Sequence, residues 1–149
     1  MGKFLTASIV FKNLLKKQIE NQNVGILLPS STAGAFINYS VLLMGKTAVN
    51  LNYTSQIETL KYCISKAQIK SIITSRKFIE KLELRGIDLK EAFEDVELIY
   101  LEDLRQNISK VKSLSVFLSV KILPSFLSKF IHLTKTKKDD TAMILFSSG

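Results

Sequence analysis

The sequence predicts an α/β fold, a mostly parallel five-stranded sheet flanked by helices on both faces. Three observations predict it. Short apolar runs start near residues 24, 47, 71, 97 and 141. Patterns of helical period lie between them, with Pro, Gly, Ser or Asn at many of the joints. Apolar residues make up 46 % of 149 residues, and a chain this long buries roughly 68–70 % of its unfolded surface, enough for one core. Strands that alternate with helices have both faces covered, which is the setting of parallel sheets.

The elements follow in order. An amphipathic helix precedes the first strand, with Phe11, Leu14, Leu15 and Ile19 on one side and Lys12, Lys16, Lys17 and Glu20 around it. Val24–Leu28 is an apolar run closed by Pro29 and a Ser-Ser-Thr cluster, a strand ending at a helix cap. Residues 31–45 are apolar nearly all round and stop at Gly45, as a buried helix does. Thr47–Leu51 is the second strand. Ser55-Gln56-Ile57-Glu58 has the form of a capping box, and Ile57, Leu60, Ile64 and Ala67 then recur at helical spacing. Ser71–Thr74 is the third strand, and Ser75 caps a helix through about Leu84. Val96–Leu101 and Thr141–Phe146 complete the set. The first three spacings fit single βαβ steps. The fourth is much longer, and residues 102–138 are the excess.

That excess also holds the charge. The chain carries a net +8. Residues 1–103 have 13 basic and 11 acidic side chains, 104–138 have 8 basic and none acidic, and 139–149 have two aspartates. The basic character therefore belongs to one segment. Within it, residues 113–133 are strongly apolar, broken by Pro124 and dotted with Lys121 and Lys129, while Lys110, Lys112, Lys135, Lys137 and Lys138 flank them. A basic amphipathic helix pair suits an anionic membrane surface or an acidic partner. A hairpin covering the sheet behind a solvated lysine rim fits the same pattern. Aromatics and Arg do not interleave with these lysines, so nucleic acid is not the expected partner.

Several function classes drop out. One cysteine, Cys63, excludes a disulfide framework and a thiolate zinc site and fits a reducing compartment. It sits beside the apolar stripe of a helix, where packing is the simpler role. The single His132 leaves no histidine metal centre or triad, and Leu133-Thr134-Lys135-Thr136-Lys137 after it lacks the His-x4-Asp pattern of glycerolipid acyltransferases. The uncharged run 21–45 has the length of a membrane span, which needs about 20 mostly apolar residues. It contains Asn21, Gln22, Asn23, Pro29, Ser30, Ser31 and Thr32, however, and reads as strand, turn and helix. Met1-Gly2-Lys3-Phe4-Leu5-Thr6 fits a loose myristoylation pattern, and Lys12 interrupts anything like a signal peptide. The first strand–helix turn lacks dinucleotide-loop glycines, since Gly25 and Gly34 have the wrong spacing. No acidic cluster of the response-regulator kind ends the first strand.

The last ten residues carry the most chemistry. Asp140-Thr141-Ala142-Met143-Ile144-Leu145-Phe146 reads as a strand, and Ser147-Ser148-Gly149 begins a hydroxyl- and glycine-rich turn. Such a turn presents backbone N–H groups and hydroxyls to an anion.

Here the sequence resembles the AMP-binding, adenylate-forming family of acyl-CoA synthetases, luciferases and nonribosomal adenylation domains. Their signature follows a strand and reads Asp-x-Ala-x-Ile-x-Phe/Tyr-Thr/Ser-Ser-Gly and onward to Pro-Lys-Gly, and Asp140 to Gly149 match its first part. Val24-Gly25-Ile26-Leu27-Leu28-Pro29-Ser30 is similar to the family's first strand. Leu43-Met44-Gly45-Lys46-Thr47-Ala48-Val49 and Lys70-Ser71-Ile72-Ile73-Thr74 are similar to its next two. The resemblance covers most of the chain and is weakest over 102–138. Most members have Pro-Leu-Asn-Pro after the second strand, where this chain has Asn50-Leu51-Asn52-Tyr53-Thr54. With Thr74-Ser75-Arg76-Lys77-Phe78-Ile79-Glu80-Lys81-Leu82, that departure resembles the synthetase half of bifunctional 2-acylglycerophosphoethanolamine acyltransferase/acyl-acyl-carrier-protein synthetases.

The resemblance implies a fold, a reaction and partners. The chain is expected to be a single truncated N-terminal subdomain, residues 1–149, with 102–138 as an inserted basic helical segment. A fatty acid, ATP and Mg²⁺ would give an acyl-adenylate, and coenzyme A or acyl carrier protein would accept the acyl group. Ser147, Ser148 and Gly149 would begin the phosphate loop. No catalytic or metal-binding residue is expected within these residues, and the chain alone is expected neither to adenylate nor to hold ATP or Mg²⁺. Lys121, Lys129, Lys135, Lys137 and Lys138 are the candidate contacts to membrane or carrier protein, in a cytoplasmic protein peripheral to the inner face of the membrane. The alternative is a non-catalytic binding module that works through the basic segment.

Overall fold

The computed structural model describes residues 2–122, 134, 137 and 139–146. Five strands, β1 Asn23–Ile26, β2 Thr47–Asn50, β3 Ser71–Thr74, β4 Glu97–Tyr100 and β5 Met143–Leu145, form one sheet in the order β4-β3-β1-β2-β5. Every neighbouring pair is parallel. Six helices accompany them: α1 Gly2–Leu15, α2 Thr32–Leu43, α3 Ile57–Lys66, α4 Arg76–Glu83, α5 Leu101–Gln106 and α6 Lys110–Ile122. A 3-10 turn, Lys90–Phe93, leads into β4. The predicted α/β fold with five parallel strands is the one observed.

Successive strand residues point to opposite faces, and the two cores divide accordingly. Val24, Ile26, Ala48, Ile73 and Ile99 pack with α1, α2 and α5 on one face. Leu27, Val49, Leu51 and Ile72 pack with α3, α4 and the 3-10 turn on the other. Gly25 is where the second face comes closest. A Cβ there would lie 2.7 Å from Ile72 Cγ1 and 3.1 Å from Ile69 Cγ2. This glycine serves packing, which accounts for its place in the strand.

The helix at 31–45 reads as buried because a second helix lies over it. Ser40 Oγ donates to Ser8 O at 2.9 Å, and the Phe11 and Phe36 rings sit 5.1 Å apart. Ser31 caps α2, its side chain accepting from Gly34 N at 3.2 Å. At the other end Gly45 takes φ 72°, and Gly45 N and Lys46 N donate to Leu42 O and Val41 O, the Schellman arrangement.

Three local expectations change. The capping box at Ser55 does not form, and α3 begins at Ile57 behind Gln56 without a side-chain cap. Asn52 Oδ1 accepts from Thr54 N and Thr54 Oγ1, and Ser55 N donates to Asn52 O, so an Asx turn holds the approach instead. In α1, Ile19 is buried but lies beyond the helix end at Leu15. Lys12 is only 7 % exposed rather than solvated. Burial, and then the Lys16 charge, push its pKa below the ordinary lysine value.

Candidate functional site

All five strands run the same way, so their carboxyl ends share one edge of the sheet. Ligands of open α/β sheets bind at that edge. The β1 and β3 ends are tied together by Thr74 Oγ1, which donates to Leu27 O at 2.9 Å. The β2 end is held from outside by a reciprocal amide pair. Asn38 Nδ2 donates to Asn50 Oδ1 at 3.1 Å, and Asn50 Nδ2 donates to Asn38 Oδ1 at 2.9 Å. The pairing could not be read from the sequence, because the partners are brought together only by α2 packing on β2.

β5 enters beside β2, with Ala48 opposite Met143, Val49 opposite Ile144 and Asn50 opposite Leu145. Thr47 Oγ1 donates to Thr141 O at 2.8 Å and pins the approach to the strand. Phe146 then leaves the sheet at the carboxyl edge and lines a cavity of about 40 Å³ with Leu51, Leu60 and Cys63. Burial pushes the Cys63 thiol up, so this cysteine packs and does not present a thiolate. Ser147, Ser148 and Gly149 lie outside the described residues.

On the other side of β1 the edge carries a polar cluster. Ser75 Oγ donates to Glu102 Oε1 at 2.8 Å, and Arg76 N donates to Glu102 Oε2 at 3.1 Å. Glu102, 26 residues away, thereby caps α4, a favourable place for a carboxylate. Partial desolvation raises the Glu102 pKa, but hydrogen bonds from Ser75 and the backbone N–H groups outweigh it and leave the group below its ordinary value. Arg76 makes a bidentate pair with Asp103, both contacts at 2.7 Å, and lies 4.1 Å from the centre of the Tyr100 ring. That hydrogen bonding lowers the Asp103 pKa and raises that of Arg76. A cavity of about 360 Å³ opens beside this cluster.

The basic segment divides. Lys121 is exposed, with its Nζ 5.2 Å from the Phe117 ring centre. Lys137 is exposed, and its backbone N donates to Asp140 Oδ2 at 2.7 Å. Lys129, Lys135, Lys138 and His132 lie outside the described residues. α6 packs on α1 through Val116, which is buried, while Leu114 and Leu118 are 57 % and 44 % exposed. Among the described residues, no helix is long and apolar enough to cross a membrane.

The family model described as AMP-binding enzyme matches residues 12–149. The chain belongs to that family. Solved structures share its fold at low identity. The crystal structure of VinN superposes with a TM-score of 0.64 at 15 % identity, covering 99 % of this chain and 34 % of that one. A Mycobacterium tuberculosis fatty acyl CoA synthetase matches at 0.64 and 15 %, covering 98 % of this chain and 26 % of that chain. The o-succinylbenzoate CoA synthetase MenE from Bacillus subtilis, in complex with its acyl-adenylate intermediate, matches at 0.57 and 17 %, covering 72 % and 26 %. This chain therefore spans about a third of the length of VinN and about a quarter of the two synthetases.

Proposed function

We propose that this chain is the N-terminal subdomain of an ATP-dependent fatty acid:thiol ligase. A fatty carboxylate oxygen attacks the α-phosphorus of ATP, forming an acyl-adenylate as pyrophosphate leaves. The thiolate of coenzyme A or of an acyl carrier protein's phosphopantetheine then attacks the acyl carbonyl, and AMP leaves. The observation that carries the reading is the parallel register of β5 on β2, which sets Leu145 opposite Asn50 at the carboxyl edge. In this proposal Ser147, Ser148 and Gly149 supply donors to charge developing on the transferred phosphoryl group. The carboxylates of this edge, Glu102 and Asp103, are already engaged by Ser75 and Arg76.

The acyl-acyl-carrier-protein branch, with a fused acyltransferase and a role in phospholipid metabolism, is part of the same proposal and rests on the motif likeness alone. ATP–pyrophosphate exchange tests the adenylation step that both branches share. The 149-residue chain is expected to give no exchange above a buffer control, whereas a protein continuing through Pro-Lys-Gly and beyond exchanges when given a fatty acid. Exchange by the 149 residues alone contradicts the subdomain reading.

A second reading assigns the basic segment to an anionic membrane surface. It is supported by Leu114, Leu118 and Lys121, which recur at i, i+4 and i+7 of α6 and are all exposed. Salt-sensitive co-sedimentation with anionic liposomes is expected, and charge reversal at Lys121, Lys129, Lys135, Lys137 and Lys138 abolishes it. Binding that survives the reversal excludes this surface.

A further inference from the structure

The strand order places a topological switch point between β1 and β3. From β1 the chain crosses through α2 to β2 on one side, and from β2 it returns through α3 past β1 to β3 on the other. Crossovers that part in this way open a crevice at the carboxyl ends of the two strands. The cavity of about 360 Å³ lies there, lined by the turns after β1, β3 and β4. Its volume falls in the range of small-molecule sites.

Its lining is basic. Lys77 and Lys81 stand one turn apart on α4, and Arg105 approaches from α5. Among the described residues no ion pair takes any of the three. Glu102 is the one carboxylate in the lining, and it is committed to Ser75 Oγ and Arg76 N. The lining thus holds three cations against one anion whose oxygens are already hydrogen-bonded. Ser31 uses its oxygen to accept from Gly34 N, leaving its O–H to donate. The fork of Arg105 and two mobile ammonium groups match the oxygens of a phosphate dianion better than a single carboxylate.

We propose that this cavity binds a phosphate group, through Lys77, Lys81 and Arg105 with the Ser31 hydroxyl. It is separate from β5. Three strand steps divide β3 from β5, or about 14 Å at the usual strand spacing. The inference needs the fold and the lining, and stands or falls apart from the ligase proposal.

Amide NMR titrations of the 149-residue chain at low salt, with inorganic phosphate and separately with glycerol 3-phosphate, test it. Saturable shifts are expected at the amides of Ser31, Ser75, Lys77 and Arg105. The double variant Lys81→Glu, Arg105→Glu is expected to weaken binding at least tenfold while the β1 and β3 amides keep their positions. Tighter binding of glycerol 3-phosphate marks an organic phosphate headgroup as the ligand, and equal binding marks the free anion, both through the same site. Shifts that do not saturate, that persist unchanged in the double variant, or that appear only at residues 147–149 overturn the proposal. A chain that fails pyrophosphate exchange in any form still gives a clear answer here.

Discussion

β1 and β5 are both short apolar strands in one parallel sheet, yet they stand in different surroundings. Val24, Gly25 and Ile26 are buried, with helices over both faces. Met143 and Leu145 are 42 % and 70 % exposed, and β5 pairs with β2 alone among the described strands. The difference teaches that apolar sequence selects the strand while position in the sheet decides what the strand contributes. The central strands hold the fold together. The edge strand leaves most of its apolar side chains exposed and is expected to add little stability.

Truncation in each region is the strongest way to break that contrast. Ile73→Ala, in a fully buried central strand, is expected to cost about 2–5 kcal/mol. Leu145→Ala is expected to stay within about 0.5 kcal/mol. Urea denaturation followed by circular dichroism measures both, and equal losses would refute the division. The next effect is overpacking. Gly25→Ala pushes a methyl into Ile72, and a loss of about 1–3 kcal/mol is expected in the same assay.

A smaller effect sharpens the account of the carboxyl edge. Glu102→Gln weakens the cap on α4 and is expected to cost about 1 kcal/mol, the scale of a lost N-cap, reduced by the side chain's partial exposure. The pH dependence has a definite sign. The folded Glu102 pKa lies below its ordinary 4.5, so its contribution is present above 4.5 and is lost as pH falls through the lowered folded value. Stability curves of wild type and Glu102→Gln should therefore converge in acid and separate above 4.5. Curves that run parallel through that range would remove the capping role. The smallest expected change is a gain. Gln68 takes φ 51° at the end of α3, with Gln68 N and Ile69 N donating to Ser65 O and Ile64 O. Gln68→Gly relieves that conformation and should raise stability by up to about 1 kcal/mol, read as a higher urea midpoint.

Much of the fold could be read directly because buried parallel strands leave short apolar runs with abrupt ends. Val24–Leu28 stopping at Pro29, and the helix stopping at Gly45, are local signals with local causes. What could not be read depends on contacts distant in sequence. Ser75 was legible as a helix cap position, but its hydroxyl donates to Glu102 on α5. Ser55 and Glu58 matched a capping box, and an Asx turn at Asn52 competed successfully for the same stretch. The Asn38–Asn50 pair and the 360 Å³ cavity exist only once the strand order is set, and a linear pattern does not encode that order. Of the residues singled out for function, Lys121 and Lys137 are exposed, and the loop residues Ser147, Ser148 and Gly149 fall outside the described part of the chain. The family was legible from ordered motifs, and the match over residues 12–149 agrees with it.

The central claim is the proposed role of Ser147 and Ser148 in handling phosphate. Hydroxylamine trapping of the acyl-adenylate tests it most directly, using a protein that continues beyond Gly149, ATP and a fatty acid. The unsubstituted protein is expected to form acyl hydroxamate, and Ser147→Ala with Ser148→Ala is expected to lower the rate on the order of 10²-fold or more, as lost charge-stabilising donors do. Hydroxamate formed at an undiminished rate by the double variant would contradict the claim.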